Sequence, residues 1–398
     1  MSYISNINKA WEVVPFGKLV RRSQYGLSES ATADGVPYLK MSNIRDGKVF
    51  IENADRLQMD DKTFEEYALQ DGDLLFNRTN SLDLVGKTGV FRGVQKVVFA
   101  SYLVRFQVHE RKADSNFIAA WFASSGAAHR LRCLATPGVS QSNINPTTLR
   151  LAMHVPCPPL HEQRKIAAIL STWDEALEKL DALIEAKESS KKALMQQLLT
   201  GKRRSPAFCG SWKKVALGDV AENVADQNKG RMGTSSLYGV TKAEGMMPMR
   251  DHVKGESFDR CKCVETDWFA YNPMRINIGS IARWQGTKTV MVSGDYVVFR
   301  CHPHKLLPAY LNHLRQSRMW QSFVTRGGNG SVRIRIYFSD LAEFTFPCPP
   351  IDEQREIAAI LDTSDQELMI LRTQRTALNQ QKRGLMQRLL MGKVRVTV

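Results

Sequence analysis

The sequence contains no run of about 18 apolar residues, the length a membrane-spanning helix needs. Its opening stretch, MSYISNINKAWEVV, lacks the apolar centre of a secretory leader. Both absences argue against export and membrane insertion, so a cytoplasmic protein is expected. Cysteine is sparse: seven residues, an odd number scattered over 398, do not make the dense framework of a small disulfide-stapled domain. Reduced thiols are expected.

Catalytic and cofactor motifs are also missing. Gly86-Lys87-Thr88 fails as a phosphate loop because the position five residues earlier, which must be glycine, is Ser81. No G-x-G-x-x-G, H-E-x-x-H or G-x-S-x-G follows a suitable strand, and YNPMR at Tyr271 only grazes the Asn-Pro-Pro-aromatic motif of adenine methyltransferases. Cys261, Cys263, Cys301, His302 and His304 carry metal-capable side chains, but their spacing is not that of a zinc site. The expectation is a chain without catalysis, cofactor or metal of its own.

What is present is positive charge and a repeat. Fifty-five Lys and Arg against forty Asp and Glu leave +15, a field that draws polyanions, nucleic acid first among them. CPPLHEQRKIAAIL from Cys157 returns as CPPIDEQREIAAIL from Cys348, and 25 of 48 positions are identical at a constant offset of 191. A weaker echo pairs WEVVPFGKL at Trp11 with WKKVALGDV at Trp212. The chain is therefore read as two half-molecules, each a variable globule followed by a well-matched tail.

Each tail reads as a helix. Pro158-Pro159 precedes it, Glu162 lies in the first turn, Gly201 stands at the C-terminal cap, and Pro349-Pro350, Glu353 and Gly392 repeat the pattern. Apolar residues from Ile166 to Leu198 and from Ile357 to Leu389 keep three-and-four spacing, broken midway by Lys187, Ser190 and Lys191 and by Gln374, Arg375, Gln381 and Lys382. About 40 residues at 1.5 Å make a rod of roughly 60 Å, longer than a globule of this size. Two such rods bury their stripes most economically on each other. A pseudo-twofold relation would make them antiparallel, a coiled-coil ruler with a reader at each end.

The expected fold class is α+β: two mixed α/β globules at residues 1–156 and 205–347, with spacer helices at 157–204 and 348–398. Runs such as KVVFASYLVRFQV from Lys96 and TVMVSGDYVVFRC from Thr289 supply strands. Charge excesses of +4 and +7 place the basic surface mainly on the globules. In the first, FNRTNSLDLVGKTG offers Arg78, Thr79, Asn80, Ser81 and Lys87, and TPGVSQSNINPTTL offers Ser140, Gln141 and Asn143. In the second, YNPMRINIGSIARWQGTK carries Arg275, Asn277, Arg283, Gln285 and Lys288, and GGNGSVRIRI with the preceding residue carries Arg326, Arg333 and Arg335. Arginine can bond guanine and asparagine adenine through paired hydrogen bonds, and all these side chains can also hold phosphates. Aromatic motifs for RNA stacking are lacking, so duplex DNA is favoured.

PPLHEQRKIAAIL, PPIDEQREIAAIL, LMQQLLTGKRR, LMQRLLMGKVR and LLFNRTNSLDLVGKTG together resemble the specificity subunits of type I restriction-modification systems. The resemblance covers essentially the whole chain. It implies that the globules are target-recognition domains, each reading half of a bipartite DNA site, and that the helices are an antiparallel spacer. It further implies docking of methyltransferase subunits, two of them, that use S-adenosylmethionine to methylate adenine, joined by motor-nuclease subunits. Two alternatives stand beside it: the detached recognition half of a fused restriction-methylation enzyme, and a coiled-coil scaffold whose basic globules bind protein. Copurifying subunits separate the first, and dependence of specific duplex binding on both globules separates the second.

Overall fold

A computed structural model describes residues 4–45, 47–249, 258–326 and 335–396. The chain divides into two compact units, residues 1–181 with 373–398, and residues 182–372. Two helices carry the repeated tails: α1, Leu160–Leu198, and α2, Ile351–Leu390. Each begins in one unit and ends in the other.

The two globules share one sheet topology. In the first, strands β1 (Val20–Tyr25), β2 (Leu74–Asn77), β3 (Thr88–Val90) and β4 (Leu103–Val108) lie in the order β1-β4-β2-β3, extended past β3 by the short pair at Lys48–Val49 and Ile44–Arg45. In the second, β5 (Ala221–Val224), β6 (Phe269–Tyr271), β7 (Ile281–Arg283) and β8 (Val297–Cys301) lie in the order β5-β8-β6-β7. Both strand-rich runs read from sequence thus end in a central strand, β4 or β8. Val104, Phe106 and Val108 of β4 and Val297 and Phe299 of β8 enter the main cores, while β4 also buries the polar Arg105 and Gln107 and β8 leaves Arg300 exposed. A two-stranded ribbon closes each globule: Glu12–Pro15 pairs antiparallel with His154–Cys157, and Lys213–Ala216 with Thr345–Cys348. Each ribbon delivers the chain straight into the proline pair ahead of a long helix.

The glutamines of the repeated HEQR and DEQR motifs lock those helix starts. Gln163, 1% exposed, donates from Nε2 to the carbonyls of Pro158 (2.9 Å) and Lys112 (3.0 Å), and its Oε1 accepts from the Asp114 N–H (3.0 Å). Gln354 repeats this with Pro349 (2.9 Å), Lys305 (2.9 Å) and the Leu307 N–H (2.8 Å). The preceding glutamates reach further. Glu162 receives both Nε (2.6 Å) and Nη2 (2.9 Å) of Arg395, and Glu353 receives Nε (2.7 Å) and Nη2 (2.8 Å) of Arg204. Arg395 lies over the Trp11 ring at 5.8 Å and Arg204 over the Trp212 ring at 5.5 Å. Glu353 also accepts from Trp212 Nε1 at 2.9 Å.

Both long helices stop at a glycine in the left-handed region, Gly201 (φ +70°) and Gly392 (φ +65°). A Cβ at Gly392 would lie 2.6 Å from the Asn8 side chain and 3.0 Å from the Trp11 ring, so the end of α2 sits directly on the start of the first globule. Asn8 seals this seat, donating N–H to the Met391 carbonyl (2.9 Å) and Nδ2 to the Gly392 carbonyl (3.0 Å).

Burial along the helices is concentrated at their ends. Ile166 and Leu170 of α1 join Leu389 and Leu390 of α2 in the first core, while Met195, Leu198 and Leu199 join Ile357 and Leu361 in the second. Between those ends Leu177, Leu180 and Ile184 are only half-buried, and Leu183 is 43% exposed. Ion pairs line this stretch: Asp174–Lys382 and Asp181–Arg375 in the first unit, Lys191–Asp365, Lys187–Glu367 and Glu188–Arg372 in the second. From Asp174 to Asp181 the partner on α2 falls from 382 to 375, and from Glu188 to Lys191 it falls from 372 to 365, so the helices run antiparallel within each unit. Among the described residues no helix is long and apolar enough to cross a membrane.

Candidate nucleic-acid interface

In the first globule the hairpin β2–β3 holds out the loop 78–87. Asn77 closes it, donating N–H to the Lys87 carbonyl and accepting from the Gly86 N–H, both at 2.8 Å. Gly86-Lys87-Thr88 runs into strand β3, whereas a phosphate loop runs into a helix. Thr79–Asn80 pairs antiparallel with Ser142–Asn143, which pairs in turn with Thr136–Pro137. Two polar runs some sixty residues apart in sequence thus become one three-stranded edge. Its seam begins where the Ile144 N–H donates to the Arg78 carbonyl at 2.8 Å.

Arg78 stacks its guanidinium over the Tyr25 ring, 5.0 Å from the centroid, with Tyr25 itself 48% exposed. This platform holds a long, flexible side chain in one plane at the surface. Thr79, Asn80 and Asn143 are half-buried beside it, Ser81 is exposed at its end, and Ser140 and Gln141 are exposed at the tip of the adjoining hairpin. Lys87 is exposed on the returning limb. Nothing in the sequence marks Tyr25 as part of this group, because it lies on β1, some fifty residues before the loop.

The second globule repeats the device with a different loop. Between β6 and β7, residues 272–280 form a compact turn in which Arg275 is exposed and Asn277 half-buried. The Ile336 N–H donates to the Pro273 carbonyl at 3.0 Å, the counterpart of the Ile144–Arg78 bond. Exposed Arg335 therefore lies beside the Arg275 turn, and helix Arg318–Arg326 packs Trp320 and Val324 with Ile276 in the same core, leaving Arg326 exposed at its end. Arg333 lies outside the described residues.

The remaining candidates are elsewhere. Antiparallel pairing of Phe269 with Arg283 and Tyr271 with Ile281 puts Arg283, Gln285 and Lys288 at the end of the hairpin opposite Arg275. Arg283 is held by Asp267, Nε to Oδ1 at 2.8 Å, whereas Gln285 and Lys288 are exposed.

The Cys and His residues considered for metal do not converge. Cys261 packs with Leu237 and Met291, Cys301 belongs to the main core with its thiol pushed up to about 12 by burial, and Cys263 accepts from Arg231 at 3.3 Å. Among the described residues, the His/Cys/Asp/Glu group that does converge is His313, Asp362 and Asp365. There the buried His313 ring lies between two carboxylates, Nε2 2.7 Å from Asp362 and Nδ1 3.8 Å from Asp365, and Asp365 is also paired with Lys191. Burial holds this imidazole below its ordinary value, against the pull of Asp362.

The family described as type I restriction modification DNA specificity domain matches residues 9–188 and again 210–380, one match per half of the repeat. The chain belongs to that family. A putative type I restriction enzyme MjaX specificity subunit from Methanocaldococcus jannaschii is 23% identical over 99% of this chain and 96% of its own length. The EcoKI specificity subunit of Escherichia coli K12 is 29% identical over 38% of this chain and 33% of its own. Among solved structures, the type I S subunit from M. genitalium superposes with a TM-score of 0.61 at 16% identity, covering 97% of this chain and 96% of that one. A second chain, from a type I R-M system, gives 0.56 at 17% identity over 98% and 99%. At these identities the structural likeness speaks to fold. The family assignment makes this a DNA specificity subunit built from two such domains, as its repeat and its resemblance implied.

Proposed function

We propose that each globule reads one half of a bipartite, asymmetric DNA site, with residues 1–156 and 205–347 as target-recognition domains. The segments 157–204 and 348–398 are then an antiparallel coiled-coil spacer that sets half-site separation and docks methyltransferase subunits, two per chain. These partners supply methyl transfer and motor-nuclease subunits supply cleavage, so the chain itself catalyses neither, works in the cytoplasm and needs no cofactor. The observation that supports the reading is a backbone bond at the base of a hairpin loop in each globule, from Ile144 to Arg78 in the first and from Ile336 to Pro273 in the second, each made by a residue that follows a polar run in the sequence.

In the first globule Arg78, Thr79, Asn80 and Asn143 face the bases, with Ser81, Lys87, Ser140 and Gln141 around them. In the second, Arg275, Asn277, Arg326 and Arg335 form the matching group. Arg283, Gln285 and Lys288, a strand's length away, serve the backbone, and Arg333 is a DNA contact proposed from sequence alone. The test is methylation mapping of genomic DNA in cells expressing the chain with its neighbouring methyltransferase. The expected result is a split motif with two unlike halves, and a continuous or palindromic motif would overturn the reading.

A further inference from the structure

Beside the loop 78–87 lies a concavity of about 470 Å³ whose lining includes Arg45, Lys87 and Arg132. The three cations come from three elements: the short strand Ile44–Arg45, the returning limb of the β2–β3 hairpin, and the last turn of helix Ser125–Leu134. None has a carboxylate within ion-pair distance among the described residues. In the neighbouring cavity three of the four lining cations, Lys48, Arg92 and Lys382, are paired with Glu178, Asp71 and Asp174, and Arg383 is the fourth.

Among the described residues Asp83 is the one carboxylate on the lining, and it stands exposed. The floor is apolar, with Val85 and Phe122 buried beneath it. Three like charges around an apolar floor repel one another in a place where water screens them less than on a convex surface. Arg45 is nevertheless anchored, its Nε donating to the Ser42 carbonyl at 3.3 Å and its guanidinium stacked on Phe50 at 5.8 Å. An arrangement that keeps three cations convergent and without carboxylate partners is complementary to an anion.

We propose that this concavity seats a backbone phosphate of the DNA duplex next to the first half-site, with Arg45 and Arg132 as phosphate-holding residues in addition to Lys87. The inference rests on the first globule being a DNA reader. Continuity favours a phosphate of the same duplex: Lys87 is bonded through its carbonyl to Asn77, one residue from Arg78, so a strand presenting its bases to Arg78 and Asn80 carries its backbone past Lys87. A phosphate contact positions the duplex and carries no sequence information.

The experiment uses the full chain with its methyltransferase, comparing wild type with Arg45→Gln/Arg132→Gln over a salt titration. The probes are a duplex carrying the mapped motif and a random-sequence duplex. Both duplexes should bind the variant about three- to fivefold more weakly, and the slope of log affinity against log salt should fall by about 0.9 for each cation removed. The methylated motif should stay the same. The charge-retaining Arg45→Lys/Arg132→Lys protein should keep the wild-type slope, and Arg132→Gln alone serves where the double variant does not fold. An unchanged affinity and slope would overturn the proposal. So would loss of methyltransferase association with DNA binding intact, which assigns the cations to an acidic protein surface, and so would an altered motif, which assigns them to bases. A wild-type complex that fails to prefer the motif duplex sinks the half-site reading instead, while the salt slope on random duplex still reports on the cavity.

Discussion

Arg78 carries the sharpest claim at the scale of single residues. Its stacking on Tyr25 fixes the plane of the guanidinium, so replacing Arg78 by Ala should cost about 1 to 3 kcal/mol in specific binding and relax preference in one half-site only. A loss spread evenly over all sequences would mark a phosphate contact. Tyr25→Leu should reproduce part of the relaxation while leaving the cation in place. Gln354 makes a claim about stability. Gln354→Ala strands the Leu307 N–H and the Lys305 and Pro349 carbonyls, at about 1 to 3 kcal/mol for each buried group left without a partner, read as a lower urea midpoint. His313 makes one about pH. Its folded value lies below the ordinary 6.5, so as pH falls the unfolded chain takes up the proton first. The stability it contributes is complete above that value and is lost as pH drops toward the folded one. Asp362, Asp365 and Lys191 face the ring, and His313→Gln should flatten the slope of stability with pH in this window. An equally steep slope in the variant would assign it to other groups. Little of this was legible beforehand. Glu162 and Glu353 look like ordinary first-turn acids, because a bidentate partner 233 residues away leaves no trace in local sequence. The one available sign was that Arg204 and Arg395 close the identical stretch.

At the scale of elements, the ends of both helices were legible because proline and left-handed glycine act locally. What each helix packs against was not, because three-and-four spacing marks a buried face without naming its neighbour. The stripe, already broken midway in the sequence, feeds two globular cores at its ends, and ion pairs flank a half-buried middle. The same limit hid the joining of the runs around Asn80 and Ser142, since strand pairing across the sequence depends on a fold that brings both to one edge. The repeat, by contrast, foretold a symmetry that the ion pairs obey. Asp174 with Lys382 and Asp365 with Lys191 are one pair seen twice at the offset of 191. In the first of these the side chains are 19% and 18% exposed, between the regimes of exposed and buried pairs, so Asp174→Lys should cost about 1 to 3 kcal/mol. Adding Lys382→Asp should restore most of it. A double variant no more stable than the single would show that the pair does not contribute to antiparallel register.

At the scale of the whole molecule, the proposed ruler makes a claim about length. The chain passes between its two units on α1 after Asp181 and on α2 after Arg372. A four-residue insertion at Ala182 alone lengthens one helix by about one turn and roughly 6 Å, while α2 keeps its length. The ion pairs of one unit must then break or the added turn must loop out, so the single insertion should leave the spacer of the methylated motif unchanged or abolish activity. Four residues added at Ala182 and four more at Thr373 lengthen both helices together. They keep the facing positions in step, because 3.6 residues complete a turn. At 3.4 Å per base pair this variant should prefer a spacer longer by about one or two base pairs, with both half-site sequences unaltered. Each added pair also turns the second half-site by about a tenth of a helical turn, so insertions of two turns should lose activity unless the globules swivel. Methylation mapping of the paired insertion with its methyltransferase decides the matter. A folded, active variant with the original spacer would show that these helices do not set the distance, and a changed half-site would show that helix and reader are coupled.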